Sequence, residues 1–174
     1  MAELLSPSHV PFAGEQPEVE DRMTILAFHG DFDRLQGALM VALGGAASGM
    51  SVTIYFSFWA VLTLKRKRVF RGKQLLEKLL TVVMPAGVNA MGTSRMNYCG
   101  AGPHVFGAIM KRKGVQGPAE LLELAREMGI RIVVCPVSME MMGVAMEELT
   151  PGTELGGAAS FVTDAARSKV NLVF

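Results

Sequence analysis

The sequence predicts one α/β domain of three layers, in which a mainly parallel sheet of four to five strands is covered by helices on both faces. Short apolar runs alternate along the chain with segments of helical periodicity, the pattern of a parallel sheet with crossover helices. The apolar runs show no strict alternation with polar residues, so both faces of each strand are expected to be buried. With 174 residues, the chain is long enough for one domain with a substantial core.

Four segments have the apolar, β-branched composition of buried strands. They are residues 23–29, 51–56, 130–134 and 170–174. A fifth strand is expected near residues 81–84, and residues 147–157 are expected to be connecting structure. Residues 1–22 contain three prolines and are expected to form a flexible tail before the domain of residues 23–174.

Helical periodicity fills the segments between the strands. The predicted helices cover residues 34–47, a stretch from about 75 to the proline at 85, and residues 104–111, 118–128, 139–142 and 158–168. Asp31 or Asp33 is expected to cap the first helix, and Ser138 the helix at 139–142. The first helix is apolar on nearly all sides, which indicates that it is covered on both sides.

A stretch without charged residues runs from Leu35 to Leu64 and ends at a basic cluster, so its length and flank are those of a membrane span. Glycines interrupt its middle, and residues 51–56 have the composition of a buried strand. We therefore expect helix, turn and strand rather than a span. A membrane-attached subunit is the rival hypothesis, and dependence of the purified protein on detergent would reveal it.

Composition and motifs disfavour several functions. The net charge of +1 and the aromatic content of 7% disfavour nucleic-acid binding. No glycine-rich phosphate motif, serine nucleophile elbow or metal-ligand spacing occurs, so we expect no cofactor and no metal. Without a secretory signal, we expect the cytoplasm as the location and both cysteines as thiols. Half of the residues are hydrophobic and 19% are charged, and we expect this apolar surplus at a subunit interface.

The candidate site lies beyond the carboxyl ends of the strands, where ligands bind in open α/β sheets. His29 and Asp31 follow the first strand, Ser57 and Trp59 the second, and Cys135 and Ser138 the third. Because Cys135 ends a buried strand and precedes a helix, helix amides are expected to favour its thiolate, the form that a nucleophile or sulfur carrier needs. The alternative is a structural role for Cys135, since free cysteine often packs as a small hydrophobic residue.

Two further features each allow two interpretations. Cys99 lies in a glycine-rich loop, where it either resolves a disulfide or accepts sulfur from Cys135, or is an incidental thiol. The basic residues between Lys65 and Lys73 form either a docking patch for an acidic protein or phosphorylated ligand, or a solvated surface.

Four segments together resemble the DsrE/DsrF-like family, in particular the subgroup often labelled peroxiredoxin family protein. They are Phe-His-Gly-Asp-Phe-Asp-Arg at 28–34, Gly-Met-Ser-Val-Thr-Ile-Tyr-Phe-Ser-Phe-Trp at 49–59, Val-Cys-Pro-Val-Ser-Met-Glu-Met-Met-Gly at 134–143 and Glu-Leu-Gly-Gly-Ala-Ala-Ser-Phe at 154–161. The resemblance covers about residues 23–174, and Cys135 falls on the family's cysteine. The subgroup label implies little, because the chain has no Thr-x-x-Cys peroxidatic motif.

The resemblance implies a DsrE/F-like fold and a cytoplasmic sulfur carrier or sulfurtransferase. Cys135 would hold a persulfide and pass it to a partner thiol, such as a carrier of the TusA type or a rhodanese. Family members are usually oligomers, so a homo-oligomer such as a trimer or hexamer is expected. His29, Asp31 and Ser138 are candidate accessory residues. Cys99 departs from the family pattern. The alternative is a non-catalytic oligomeric binding or assembly protein.

Overall fold

A computed structural model of the chain describes residues 18–70, 74–95 and 97–174, without the side chains of Leu76 and Cys99. The strands are β1 (Glu20–Ala27), β2 (Ser51–Phe56), β3 (Arg131–Val134), β4 (Glu154–Leu155) and β5 (Ser168–Val173). The helices are α1 (Phe32–Ala47), α2 (Leu75–Val83), α3 (Ala101–Arg112), α4 (Pro118–Glu127), α5 (Pro136–Met141) and α6 (Ala158–Arg167). Short 3-10 helices lie at Phe58–Leu64, Val88–Ala90, Tyr98–Gly100 and Met146–Glu148.

The strands form one sheet in the order β4-β3-β2-β1-β5, and every neighbouring pair is parallel. On one face, α1 and α4 pack against each other and enclose the main core with side chains such as Ile25, Ile54 and Ile132. On the other face, Tyr55 contacts α6, since its hydroxyl donates to Asp164 at 2.7 Å. The prediction of an α/β sheet covered on both faces is therefore confirmed.

The fifth strand lies where the sequence did not indicate one. β4 has only two residues, and its Glu154 and Leu155 pair with Val133 and Val134 of β3. The predicted strand at 81–84 is wrong, because residues 81–83 are the last turn of α2. A two-residue strand shows no hydrophobic period, whereas the β-branched end of α2 resembles a strand in composition.

The first helix begins earlier than predicted. Asp31 stands at the N-cap of α1 but makes no side-chain capping hydrogen bond. The Asp33 carboxylate instead accepts hydrogen bonds from the Ser94 hydroxyl and from its N–H, the latter at 2.7 Å. Burial raises the pKa of Asp33, but the bonds from Ser94 outweigh that effect, so the pKa lies below its ordinary value. Asp33 therefore connects α1 to the loop before α3.

The uncharged stretch from Leu35 to Leu64 folds as helix, turn, strand and 3-10 helix. Gly49 lies in the turn with φ of +86°, a conformation that glycine adopts without strain. Among the described residues, no helix combines the length and apolar character that crossing a bilayer requires.

The basic stretch does not form a single solvated patch. Lys65 is buried, and its Nζ lies 3.5 Å from a carboxylate oxygen of Glu148, which is also buried. The two oxygens of Glu148 accept backbone N–H groups of Val69 at 2.8 Å and Ala145 at 2.9 Å. Arg68 donates to the carbonyl of Met84 at 3.3 Å. Arg71 and Lys73 lie outside the described residues.

α2 buries a polar side chain and exposes several apolar ones. Thr81 is buried, and Glu77 packs against Gly143, where an added Cβ would come within 3.2 Å of the Glu77 side chain. The exposed side chains of the opposite face are Leu75, Leu79, Val82 and Val83, which we call the α2 apolar face. A contiguous exposed apolar face of this kind indicates an interaction surface.

Replacing Glu148 with alanine is expected to lower the free energy of unfolding by about 3–5 kcal/mol. The buried Lys65 would lose this carboxylate, and two backbone N–H groups would lose their acceptor. Urea denaturation measures the change. Glu147→Ala, at the exposed neighbouring position, is the control and is expected to shift stability by less than about 0.5 kcal/mol. Equal losses in the two variants would contradict the assignment.

Candidate functional site

The site is built where β2 and β3 end side by side. Phe56 and Val134 are partners in the parallel register, and the Cys135 N–H donates to the Phe56 carbonyl at 3.0 Å. Cys135 therefore extends the ladder by one hydrogen bond beyond the last paired residues. Ser57, the residue after Phe56, is held from its other side, because its N–H donates to the carbonyl of Ala27 at 2.9 Å.

Two serine hydroxyls meet beside Cys135. α5 begins directly after the cysteine, with Pro136 in its first turn, and this brings Ser138 back toward the strand end. The Ser138 side chain is only 3% exposed, and its Oγ lies 3.1 Å from the Oγ of Ser57. The Phe58 N–H donates to the same Ser138 oxygen at 3.0 Å. The Ser138 oxygen is therefore oriented by both neighbours.

Two opposing effects act on the half-buried Cys135 thiol. Burial raises the pKa of the thiol, because it removes the thiolate from water. Hydrogen bonding from Ser138, from the N–H of Val137 and from Ser57 lowers the pKa and outweighs burial, so the pKa lies below its ordinary value. α5 has only six residues, so these individual donors, rather than a long helix dipole, explain the effect.

The turn after β2 contains an unusual backbone conformation. Phe58 is not a glycine, yet its φ is +47°. Left-handed backbone of this kind costs about 1–2 kcal/mol in an L-residue. The Phe58 ring stacks on Phe28 with centroids 4.8 Å apart, and the Phe58 N–H bonds to Ser138. The surrounding contacts thus maintain a strained turn that aims a donor at the site.

The structure brings together only some of the predicted site residues. Ser138 reaches the Cys135 sulfur, whereas His29 and Asp31 are not among the residues that hydrogen-bond to it. They line a cavity of about 210 Å³, together with Trp59 and others, whose lining does not include Cys135. Asp31 pairs there with Arg34 at 3.4 Å.

The role of Cys99 as a second reactive thiol stays a prediction. The backbone of Cys99 lies in the 3-10 helix Tyr98–Gly100, but its side chain is outside what the structure describes. The sequence also places Ser57 at the same edge of the sheet without indicating that its hydroxyl meets that of Ser138. These two serines are 81 positions apart, so no local pattern reveals their contact.

Cys135 is half-buried, and it does not line the described cavities of about 820, 590 and 210 Å³. The neighbouring side chains Val137 and Met141 of α5 are 63% and 60% exposed. A thiol in this setting is accessible to a group presented by a second macromolecule.

Comparison with known proteins identifies the family. The sequence profile of the DsrE/DsrF/DrsH-like family matches residues 19–173. The chain is a member of this family. The resemblance drawn from its motifs is thereby confirmed.

Relatives in the DsrE/DsrF/DrsH-like family cover nearly the whole chain. The uncharacterized protein YrkE of Bacillus subtilis (strain 168) is 35% identical over 156 residues, which are 89% of this chain and 98% of that protein. The sulfur carrier protein DsrE2 of Allochromatium vinosum is 26% identical over 157 residues, which are 88% of this chain and 98% of that protein. The crystal structure of the ychN protein from E. coli aligns with 88% of this chain and 99% of its own, at 12% identity and a TM-score of 0.49.

Replacing Ser138 with alanine is expected to raise the pKa of the Cys135 thiol, because the thiolate loses a hydroxyl donor. The rate of alkylation by iodoacetamide, followed against pH in a Cys99→Ser background, measures the pKa. In the background protein the inflection is expected below the ordinary thiol value of about 8.5, and in the alanine variant at higher pH.

Ser51→Ala is the matched control for this titration, since Ser51 is exposed at the opposite end of β2. Its alkylation profile is expected to coincide with that of the background protein. An inflection at or above the ordinary thiol value in the background protein would contradict the assigned hydrogen bonds and favour a structural cysteine.

Proposed function

We propose that this protein carries sulfur as a persulfide on Cys135 and relays it to the thiol of a partner protein. The observation that carries the proposal is the position of Cys135, which lies half-buried at the carboxyl edge of the sheet, directly before α5 and beside the end of β2. Membership of the family and the named sulfur carrier among its relatives support it.

Loading begins with the thiolate, which is the nucleophilic form of cysteine. The Cys135 thiolate attacks the outer sulfur of a donor persulfide, and the sulfur–sulfur bond of the donor breaks. The bonding electron pair leaves with the donor as its thiolate, while the outer sulfur and its proton stay on Cys135. A thiol pKa below the ordinary value increases the thiolate fraction near neutral pH, which favours this step.

A protein donor and acceptor fit the site better than small molecules buried in a cavity. Cys135 lies outside the cavities of about 820, 590 and 210 Å³, whereas Val137 and Met141 of the helix that follows it are exposed. Apolar side chains at the centre of a contact are typical of protein interfaces. A carrier of the TusA type or a rhodanese, in the reducing cytoplasm, is the proposed partner class.

We also propose that copies of the chain associate. The α2 apolar face supports this, because Leu75 is 86% exposed while the polar Thr81 of the same helix is buried. Burying such a face would remove apolar side chains from water at about 25 cal/mol per Å². An assembly role without chemistry, in which Cys135 is structural, is the second candidate function, and this face is the observation that favours it.

The carrier function predicts a covalent product. After incubation with a small persulfide donor, intact-mass spectrometry is expected to show an increase by one sulfur atom. The increase is expected to persist in Cys99→Ser and to disappear in Cys135→Ser. A sulfur adduct that survives in Cys135→Ser, or none on the native protein, would overturn the proposed function.

Self-association predicts a mass above the 18.7 kDa monomer in size-exclusion chromatography with light scattering. Leu79→Lys is expected to shift the protein to the monomer, because it places a charge on the α2 apolar face. Val162→Lys, at an exposed valine of α6, is the control and is expected to leave the mass unchanged. A monomeric native protein would rule out the assembly, and loss of assembly only in the control would move the interface to α6.

A further inference from the structure

The cavity of about 210 Å³ lies at the carboxyl end of β1, where the chain passes into α1. His29, Gly30 and Asp31 line it from this connection. Its other walls come from the segment after β2 and from the loop before α3, and they include Trp59 and Met91. Ligands of open α/β sheets bind beyond the carboxyl ends of the strands, so the cavity has the position of a ligand site.

The cavity is apolar at its buried end and charged on its solvent side. Leu62 and Met91, which line it, are 1% and 5% exposed. The Asp31 side chain, which also lines it, is 33% exposed. An engineered apolar cavity of roughly 150 Å³ holds benzene, so this cavity has room for an apolar group of similar size.

The charged pair of Asp31 and Arg34 has unused hydrogen-bonding capacity. Asp31 stands at the N-cap of α1 without making a capping bond, and its Oδ2 lies 3.4 Å from the Nε of Arg34. Among the described residues, neither side chain takes part in a further hydrogen bond or ion pair. Lone pairs of the Asp31 carboxylate and the two terminal nitrogens of Arg34 are therefore available to a ligand.

Trp59 is the only tryptophan of the chain, and it is 51% exposed beside this cavity. Its backbone lies close to the end of β1, because a Cβ added at Gly30 would come within 2.7 Å of the Trp59 carbonyl oxygen. A tryptophan that is fixed in place and half in solvent is typical of a surface that binds a ligand or partner.

We propose that this cavity binds a free α-amino acid with an apolar side chain. Asp31 accepts hydrogen bonds from the ammonium group, and the terminal nitrogens of Arg34 donate to the carboxylate as a bidentate pair. The apolar side chain enters the cavity toward Leu62 and Met91. The site is separate from Cys135 and does not depend on the proposed sulfur relay.

The neighbouring opposite charges select a zwitterion. A simple amine would bring its positive charge beside Arg34 without a carboxylate to compensate it. A simple acid would bring its negative charge beside Asp31 without an ammonium group. An α-amino acid places both charges on neighbouring atoms, so each of its poles meets the opposite charge of the pair.

The test uses the fluorescence of Trp59, the single tryptophan, in the full-length protein. Titration with L-leucine or L-methionine is expected to change the emission and to saturate, and isothermal titration calorimetry measures the same Kd. Isopentylamine and 4-methylpentanoate have the apolar body of leucine but lack its carboxylate and its ammonium group, respectively. Each is expected to bind at least tenfold more weakly than L-leucine, because it loses one hydrogen-bonded ion pair.

Two substitutions remove the charges one at a time. Asp31→Asn and Arg34→Gln are each expected to raise the Kd of L-leucine at least tenfold. Asparagine is also a favourable N-cap residue, so α1 keeps its start in the first variant. Asp21→Asn and Arg22→Gln, in the amino-terminal part of β1, are the matched controls and are expected to leave the Kd unchanged.

Three results would each overturn the proposal. They are the absence of saturable binding of both amino acids by fluorescence and calorimetry, binding of isopentylamine or 4-methylpentanoate as tight as that of L-leucine, and an unchanged Kd in both Asp31→Asn and Arg34→Gln. None of these measurements involves a persulfide, so their outcome is independent of whether Cys135 carries sulfur.

Discussion

The parallel pairing of β2 with β3 is the constraint on which the site depends. Their last paired residues, Phe56 and Val134, are level with each other, and one further bond from Cys135 to the Phe56 carbonyl extends the ladder. Two chain segments therefore leave the sheet at the same point. One begins at Ser57 and the other at Cys135, and the side chains that follow them meet because the strands end together.

Among the described residues, neutral groups account for the lowered pKa of the Cys135 thiol. They are the hydroxyls of Ser138 and Ser57 and the backbone N–H groups of Val137 and Ser138. Hydrogen bonds from such groups are fixed in direction by the turn after β2 and by the start of α5, and short contacts to neutral donors are less screened by salt than an exposed ion pair is. The neighbouring surface can then remain apolar, as at Val137 and Met141, which suits contact with another protein.

Buried polar side chains and exposed apolar ones lie close together in the chain around the start of α2. Lys65 and Glu148 are buried, whereas Leu75 is exposed. The Lys65–Glu148 pair fixes the segment before α2 from inside, because Glu148 also accepts the N–H of Val69. In α2, Glu77 packs against Gly143 and Thr81 is buried, while the α2 apolar face lies on the surface. A buried ion pair is weak evidence for added stability, but it defines one register for the loops that it joins.

The sequence alone determined the layered α/β fold, the apolar strands and the position of Cys135 between β3 and a helix, because hydrophobic period and short turn signals are local. The tertiary structure decided the rest. β4, the burial of Lys65 and the meeting of Ser57 with Ser138 across 81 positions each depend on partners that are distant in the chain. The local hydrophobic pattern indicates which face of a strand or helix is buried. A hydrogen bond between residues distant in the chain forms only once the strands have paired in register.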